Sequence, residues 1–101
     1  MHAVIRRYEN VSKVDEVLRR IEADWAPRIR QAPGFVAYYA VDAGGGAVAS
    51  ISLFEDRAQA EDAARRAAEW AREQLGSLSP NPPQVTAGEV RVQLAQQPLS
   101  A

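Results

Sequence analysis

Trp70 and Arg66 stand four residues apart in a run of alanine, glutamate and arginine, a spacing that places both on one side of a helix. A tryptophan on an alanine-rich face either fills a core or walls a ligand pocket. An arginine beside it either snorkels to solvent or clamps an oxyanion such as a phenolate. Tyr38 and Tyr39 are adjacent in a strand-like run and point to opposite faces, so one of the two reaches any given pocket. Ser50 and Ser52 put hydroxyls on one strand face where Ile or Val would pack better; they either polarise a cavity or bond local groups. Trp25 lies two residues before Pro27, where a helix is expected to kink, and there it either joins the core or frames a pocket mouth. Trp70, Arg66, Tyr38, Ser52 and Trp25 are thus the candidate binding residues for a small hydrophobic or aromatic ligand.

The remaining reactive types are sparse. There is no cysteine, and the one histidine, His2, reads as exposed near the amino terminus. Glu22 and Asp24 are two apart on a helix and do not face each other, so they form no catalytic carboxylate pair. The glycines of DAGGG, residues 42–46, lack the following helix that a phosphate loop needs. The pattern offers no metal cluster and no nucleophile triad, and it implies no cofactor; catalytic residues stay unassigned.

The chain has 101 residues, enough for one domain, with 47% hydrophobic and 25% charged residues. A net charge of −1 argues against nucleic acid or an anionic membrane as principal partner. The opening MHAVIRRYEN carries charge within six residues and has no long apolar core, so neither a signal peptide nor a membrane span is expected, and the default location is cytoplasmic.

These residues need elements to position them. Residues 35–41 and 47–54 alternate with a period of two around DAGGG and predict a β-hairpin. Alternation puts Phe35, Ala37, Tyr39 and Val41 on one face, and Val36, Tyr38 and Ala40 on the other. On the second strand Ala47, Ala49, Ile51 and Leu53 form an unbroken apolar face, and Val48, Ser50, Ser52 and Phe54 a mixed one. Residues 2–8 predict a central strand with Ala3, Ile5 and Arg7 opposite Val4, Arg6 and Tyr8. Ser12 and Asp15 resemble a capping box, and Val14, Val17, Leu18, Ile21, Trp25 and Ile29 follow at helical spacing. Pro27 predicts a kink or break near Trp25 and Ala26, with the helix ending by Gln31.

Asp56 and Gln59 suggest a cap for a helix over 57–75, with an inner stripe of Ala60, Ala63, Ala67, Trp70 and Gln74 joined by Ala64, Ala71 and Leu75. Gly76 is placed as a left-handed stop. Residues 77–83, with three prolines, form a connector. Residues 84–94 predict a last strand with Val90, Val92 and Leu94 inward and a bulge at Gly88. A domain over 1–94 leaves 95–101 as a tail expected to fray. The hairpin is apolar on both faces, yet one chain this short supplies one helical layer, so a homodimer is expected.

The order strand, helix, strand, strand, helix, strand is a ferredoxin-like α+β pattern, βαββαβ, with two helices on one face of an antiparallel sheet. The run PGFVAYYAVDAGGGAVASISLFEDRAQAEDAARRAAEW resembles the antibiotic biosynthesis monooxygenase-like group of dimeric α/β-barrel proteins, in its PGF turn, its strand ending in FED and its helix carrying a tryptophan. The resemblance implies sheet-to-sheet dimers with a small-molecule pocket between sheet and helices in each protomer. It also implies, for some members, cofactor-independent oxygenation of electron-rich phenols or anthrones, in which the substrate anion itself gives an electron to O2. Trp70 matches the helix tryptophan of several catalytic members, but Arg66 stands where an asparagine accompanies it. The haem-degrading members need an imidazole on or after this helix, and His2 does not supply it. The implied function is a small-molecule-binding homodimer, a cofactor-independent monooxygenase of an aromatic or lipophilic substrate; the alternative is a non-catalytic dimeric binding or assembly domain.

Overall fold

The computed structural model describes residues 1–96. Its alternating segments form four strands, β1 (His2–Tyr8), β2 (Phe35–Gly44), β3 (Ala47–Phe54) and β4 (Gln84–Glu89). They make one antiparallel sheet in the order β2-β3-β1-β4, so the amino-terminal strand is central, as expected. Arg6 consequently sits between Ser50 on β3 and Val85 on β4.

The hairpin departs from strict alternation at two places, between Phe35 and Ala37 and between Asp42 and Gly44. Phe35 opposes Phe54 while Ala37 opposes Leu53, leaving Val36 as an extra residue in a bulge. Phe35 and Tyr38 therefore share the covered face, where period two had separated them. Phe35 meets Phe54 edge-on at 6.1 Å and 80°. At the other end β2 runs further than 41, and Gly44, Gly45 and Gly46 turn the chain at φ of +82°, +60° and +81°.

The first helical stretch runs as α1 (Val14–Arg20), a π-helical turn (Ile21–Trp25) and α2 (Ala26–Arg30), capped at Gln31. Val17, Ile21, Trp25 and Ile29 are buried, as their spacing requires. The capping box is absent: Lys13, at φ 55°, precedes the helix without a side-chain cap. Ser12 instead gives both its N–H (2.9 Å) and its hydroxyl (3.3 Å) to the Leu78 carbonyl. Pro27 does not break the helix. The turn before it widens so that the Ala26 N–H bonds Ile21, five residues back, and proline then falls in the first turn of α2.

Helix α3 (Arg57–Leu75) opens on Asp56, whose carboxylate accepts the Gln59 N–H at 2.9 Å. Ala60, Ala63, Trp70 and Leu75 are buried, whereas Gln74 points to solvent and leaves the predicted stripe. Gly76 is right-handed (φ −56°), so it is no left-handed stop; the Leu75 carbonyl accepts from Leu78 (2.9 Å) and Ser79 (2.8 Å) instead. Residues 77–83 are irregular, with Leu78 buried under them.

The last strand is shorter than its pattern. Glu89 pairs with His2, and the Val90 N–H reaches Met1 at 2.9 Å, so β4 ends where its partner strand begins. Val92 and Leu94 are 86% and 97% exposed rather than inward, and Gly88 sits in regular register opposite Ala3. Of the tail, 97–101 lie outside the described residues. Among those described, no helix is long and apolar enough to cross a membrane.

All helices lie on one sheet face, so the core is a single layer in which Val4, Val48 and Phe54 meet Val17, Ile21, Trp25, Ile29, Trp70 and Leu75. The other face keeps Ile5, Tyr39 and Val41 more than 40% exposed. Phe54, with no exposed surface, anchors the covered side. Phe54→Ala is expected to cost about 3–5 kcal/mol in urea unfolding, and Asp56→Ala about 1 kcal/mol; equal effects would contradict the layer described here.

Candidate functional site

The widened turn ends at Trp25, and α3 brings Trp70 against it, ring centroids 5.8 Å apart and planes tilted by 33°. Both indoles are buried. The Trp70 indole Nε1–H donates to Asp24 Oδ2 at 2.6 Å, and the Arg28 Nε–H donates to Asp24 Oδ1 at 3.0 Å. The indole hydrogen bond, with Arg28 beside it, holds the Asp24 carboxyl below the usual range although burial opposes this.

The tryptophan pair is a partition. On its inner side, between helices and sheet, is a space of about 20 Å³ bounded by Tyr8, Tyr38, Arg6, Ser50 and Ser52 among apolar neighbours. That is room for about one water molecule. Arg6, Ser50 and Ser52 are all under 9% exposed, an unusual set for the interior of so small a domain. The Arg6 Nε–H donates to the Tyr8 hydroxyl at 3.1 Å, with the guanidinium 5.7 Å from the Tyr8 ring centre. Burial pushes the Tyr38 phenol up to about 12, against the opposing pull of the Ser50 hydroxyl. At neutral pH Tyr38 is therefore a neutral hydrogen-bond donor.

On the outer side, α2 and α3 bound a cleft of about 300 Å³ floored by the same indoles and rimmed by Arg28, Arg66, Glu69 and Glu73. A third hollow, about 490 Å³, lies between α3 and the 77–83 connector, with Arg6 and Tyr8 at its base. The structure thus brings Trp25, Trp70, Tyr38 and Ser52 together around the inner space. Arg66 stands apart in the outer cleft, 60% exposed and 3.0 Å from Asp62. His2 lies in a trough beside β4, away from both tryptophans. Among the described residues no three His, Cys, Asp or Glu side chains converge as metal ligands.

Two residues of this constellation escape a reading by residue type. Arg6 was assigned the same strand face as Val4 and Tyr8, and that neighbourhood was its only signal. Asp24 enters through the π-helical turn, which no spacing rule announces.

No protein-family model and no curated protein matches the chain by sequence. Solved structures do match in shape. A protein of unknown function from Nitrosomonas europaea, NE2512, superposes with a TM-score of 0.76 at 19% identity over 95% of this chain and 94% of that one. The ActVA-Orf6 monooxygenase of Streptomyces coelicolor, in complex with nanaomycin D, gives 0.69 at 20% identity over 95% and 91%. SnoaB, a cofactor-independent oxygenase from Streptomyces nogalater, gives 0.71 at 16% over 94% and 97%. The chain has the antibiotic biosynthesis monooxygenase-like fold. Within that fold, α3 is the helix over the sheet that carries Trp70, and Arg6 is on the central strand beneath it.

The Trp70–Asp24 bond has a pH signature. Because the folded carboxyl titrates below its ordinary value of 3.8, the bond's contribution is present above that pH and is lost as pH falls through the folded value. In a Trp25→Phe background, Trp70 fluorescence is expected to change in that acid range, and Asp24→Ala to abolish the step. A step that survives Asp24→Ala would assign it elsewhere.

Proposed function

We propose that the chain is a small-molecule-binding domain that acts as a cofactor-independent monooxygenase on an aromatic substrate. The observation that carries this reading is the polar set of buried Arg6, Ser50 and Ser52 with partly buried Tyr38, placed under the tryptophan pair between sheet and helices. Support comes from fold neighbours described as a monooxygenase with nanaomycin D bound and as a cofactor-independent oxygenase.

The chemistry is that of an anthrone or acidic phenol. Loss of a proton gives a delocalised anion, which passes an electron to O2. The radical pair joins as a peroxide, and loss of water leaves the quinone, so one O2 yields one new carbonyl and one water. In this reading the side chains do not touch oxygen. The Arg6 charge and the neutral Tyr38 hydroxyl stabilise the anion as it forms, in a space shielded from water, while Trp70 and Trp25 hold the ring plane.

A second reading has its own observation: the inner space holds about 20 Å³, far less than a ring system needs. It makes the chain a non-catalytic dimeric binding or assembly domain. Oxygen consumption with a panel of anthrones and naphthols separates the two. Turnover with quinone formation, reduced at least tenfold (about 1.4 kcal/mol in the barrier) by Trp70→Phe, supports oxygenation. No turnover and no rise in melting temperature with any ligand supports the second reading.

Either reading takes a homodimer through the uncovered sheet face, since Ile5, Tyr39 and Val41 stay more than 40% exposed among the described residues. Tyr39→Glu, which adds a charge to that face, is expected to convert the dimer to a monomer by analytical ultracentrifugation. A wild-type chain that sediments as a monomer at micromolar concentration would refute the interface.

A further inference from the structure

The groove between α3 and the connector holds an unbalanced set of charges. Arg6 and Arg72 both line it, and no Asp or Glu does. Six exposed or half-buried arginines, Arg19, Arg20, Arg28, Arg57, Arg65 and Arg66, each lie within 3.0 Å of a carboxylate. Arg6, although only 7% exposed, has no such partner among the described residues, and only its Nε is engaged, by the Tyr8 hydroxyl. A guanidinium keeps its charge at any ordinary pH, so burying it with no carboxylate beside it carries a desolvation cost that the Tyr8 hydroxyl and ring offset only in part. Ser79, a residue of the same groove lining, has its Oγ buried without a hydrogen-bond partner.

We propose that this groove binds the carboxylate of a small aromatic acid. The two terminal nitrogens of Arg6 face the carboxylate as a fork, a geometry that favours a two-oxygen anion. Arg72 approaches from the rim. The aromatic body lies along Ala68, Ala71 and Leu75 of α3, and about 490 Å³ suits a molecule of two fused rings. Arg6, Tyr8, Ala71 and Leu75 border both this groove and the inner space, so an acid held by Arg6 lies against the wall of the proposed reaction chamber. The proposal rests on the ligand-binding reading above and names the ligand class; it does not depend on oxygenation.

Calorimetric titration of the intact protein with naphthoate and with its neutral isostere naphthamide tests it. Naphthoate is expected to bind at least about tenfold more tightly, with the preference shrinking as salt rises. Arg6→Gln, verified as folded by circular dichroism, is expected to erase the preference by weakening naphthoate binding far more than naphthamide binding. Arg72→Gln, on the exposed rim, should lose part of it and serves as the deciding variant if Arg6→Gln does not fold. Equal binding of the two compounds to wild-type protein overturns the carboxylate assignment and leaves the ligand-binding reading standing. Binding of neither overturns both.

Discussion

Two crossovers build this domain, α1 to α2 between β1 and β2, and α3 between β3 and β4, and both land on the same side of the sheet. That places a sorting demand on every strand, because a shift of one residue would exchange the covered and uncovered rows. On β3 the uncovered row, Ala49, Ile51 and Leu53, is entirely apolar, while the covered row carries Ser50 and Ser52 between Val48 and Phe54. Hydrophobic burial within one chain would favour the opposite choice. The observed register leaves an apolar row uncovered and places two hydroxyls inside, which is the arrangement the proposed dimer and ligand site would use. The proposed dimer and the proposed binding site thus rest on one and the same register.

The helices are fixed to that register by few contacts of high specificity. Alanines let α3 approach the sheet closely, but they give little to hold its rotation or its position along the axis. Trp70 supplies both, since its ring packs on Trp25 and its N–H ends on Asp24. The acceptor is available because the turn over Ile21–Trp25 carries one residue more than an α-helical turn. That same widening lets the helix pass Pro27 with Ala26 still helical at φ −58°. A single local irregularity thus resolves the proline and presents the carboxylate.

Strand and helix positions were legible because each rests on a local rule: period two in residues 2–8 and 47–54, alanine-rich composition over 57–75, and Asp56 capping through Gln59. What was not legible depends on partners distant in sequence. The bulge at Val36, which moves Phe35 to the side of Tyr38, is a matter of pairing between strands. The end of β4 is set by where β1 starts, and Ser12 is lost as a cap because Leu78 takes its donors. Gly76 had the residue type of a left-handed stop, but Leu78 and Ser79 satisfy the helix end without one. The candidate site divides the same way. Aromatic types drew attention to Trp25, Trp70 and Tyr38, whereas Arg6 matters through the carboxylate it lacks, and such an absence is visible only once every neighbour is placed.

The walls of the interior space are not equally strong. Toward the outer cleft stand two buried indoles and a charge-assisted hydrogen bond, all of which must be given up together if that side opens. Toward the groove, the space is bordered by Arg6 and Tyr8 and overlain by a connector whose three prolines donate no backbone hydrogen bond. The connector is tied down through buried Leu78 and the two bonds from Ser12. A flat acid entering from that side meets Arg6 first and exchanges water for a guanidinium already stripped of most of its own. The desolvation that makes Arg6 costly in the empty protein is the same term that makes its pairing with an anion favourable.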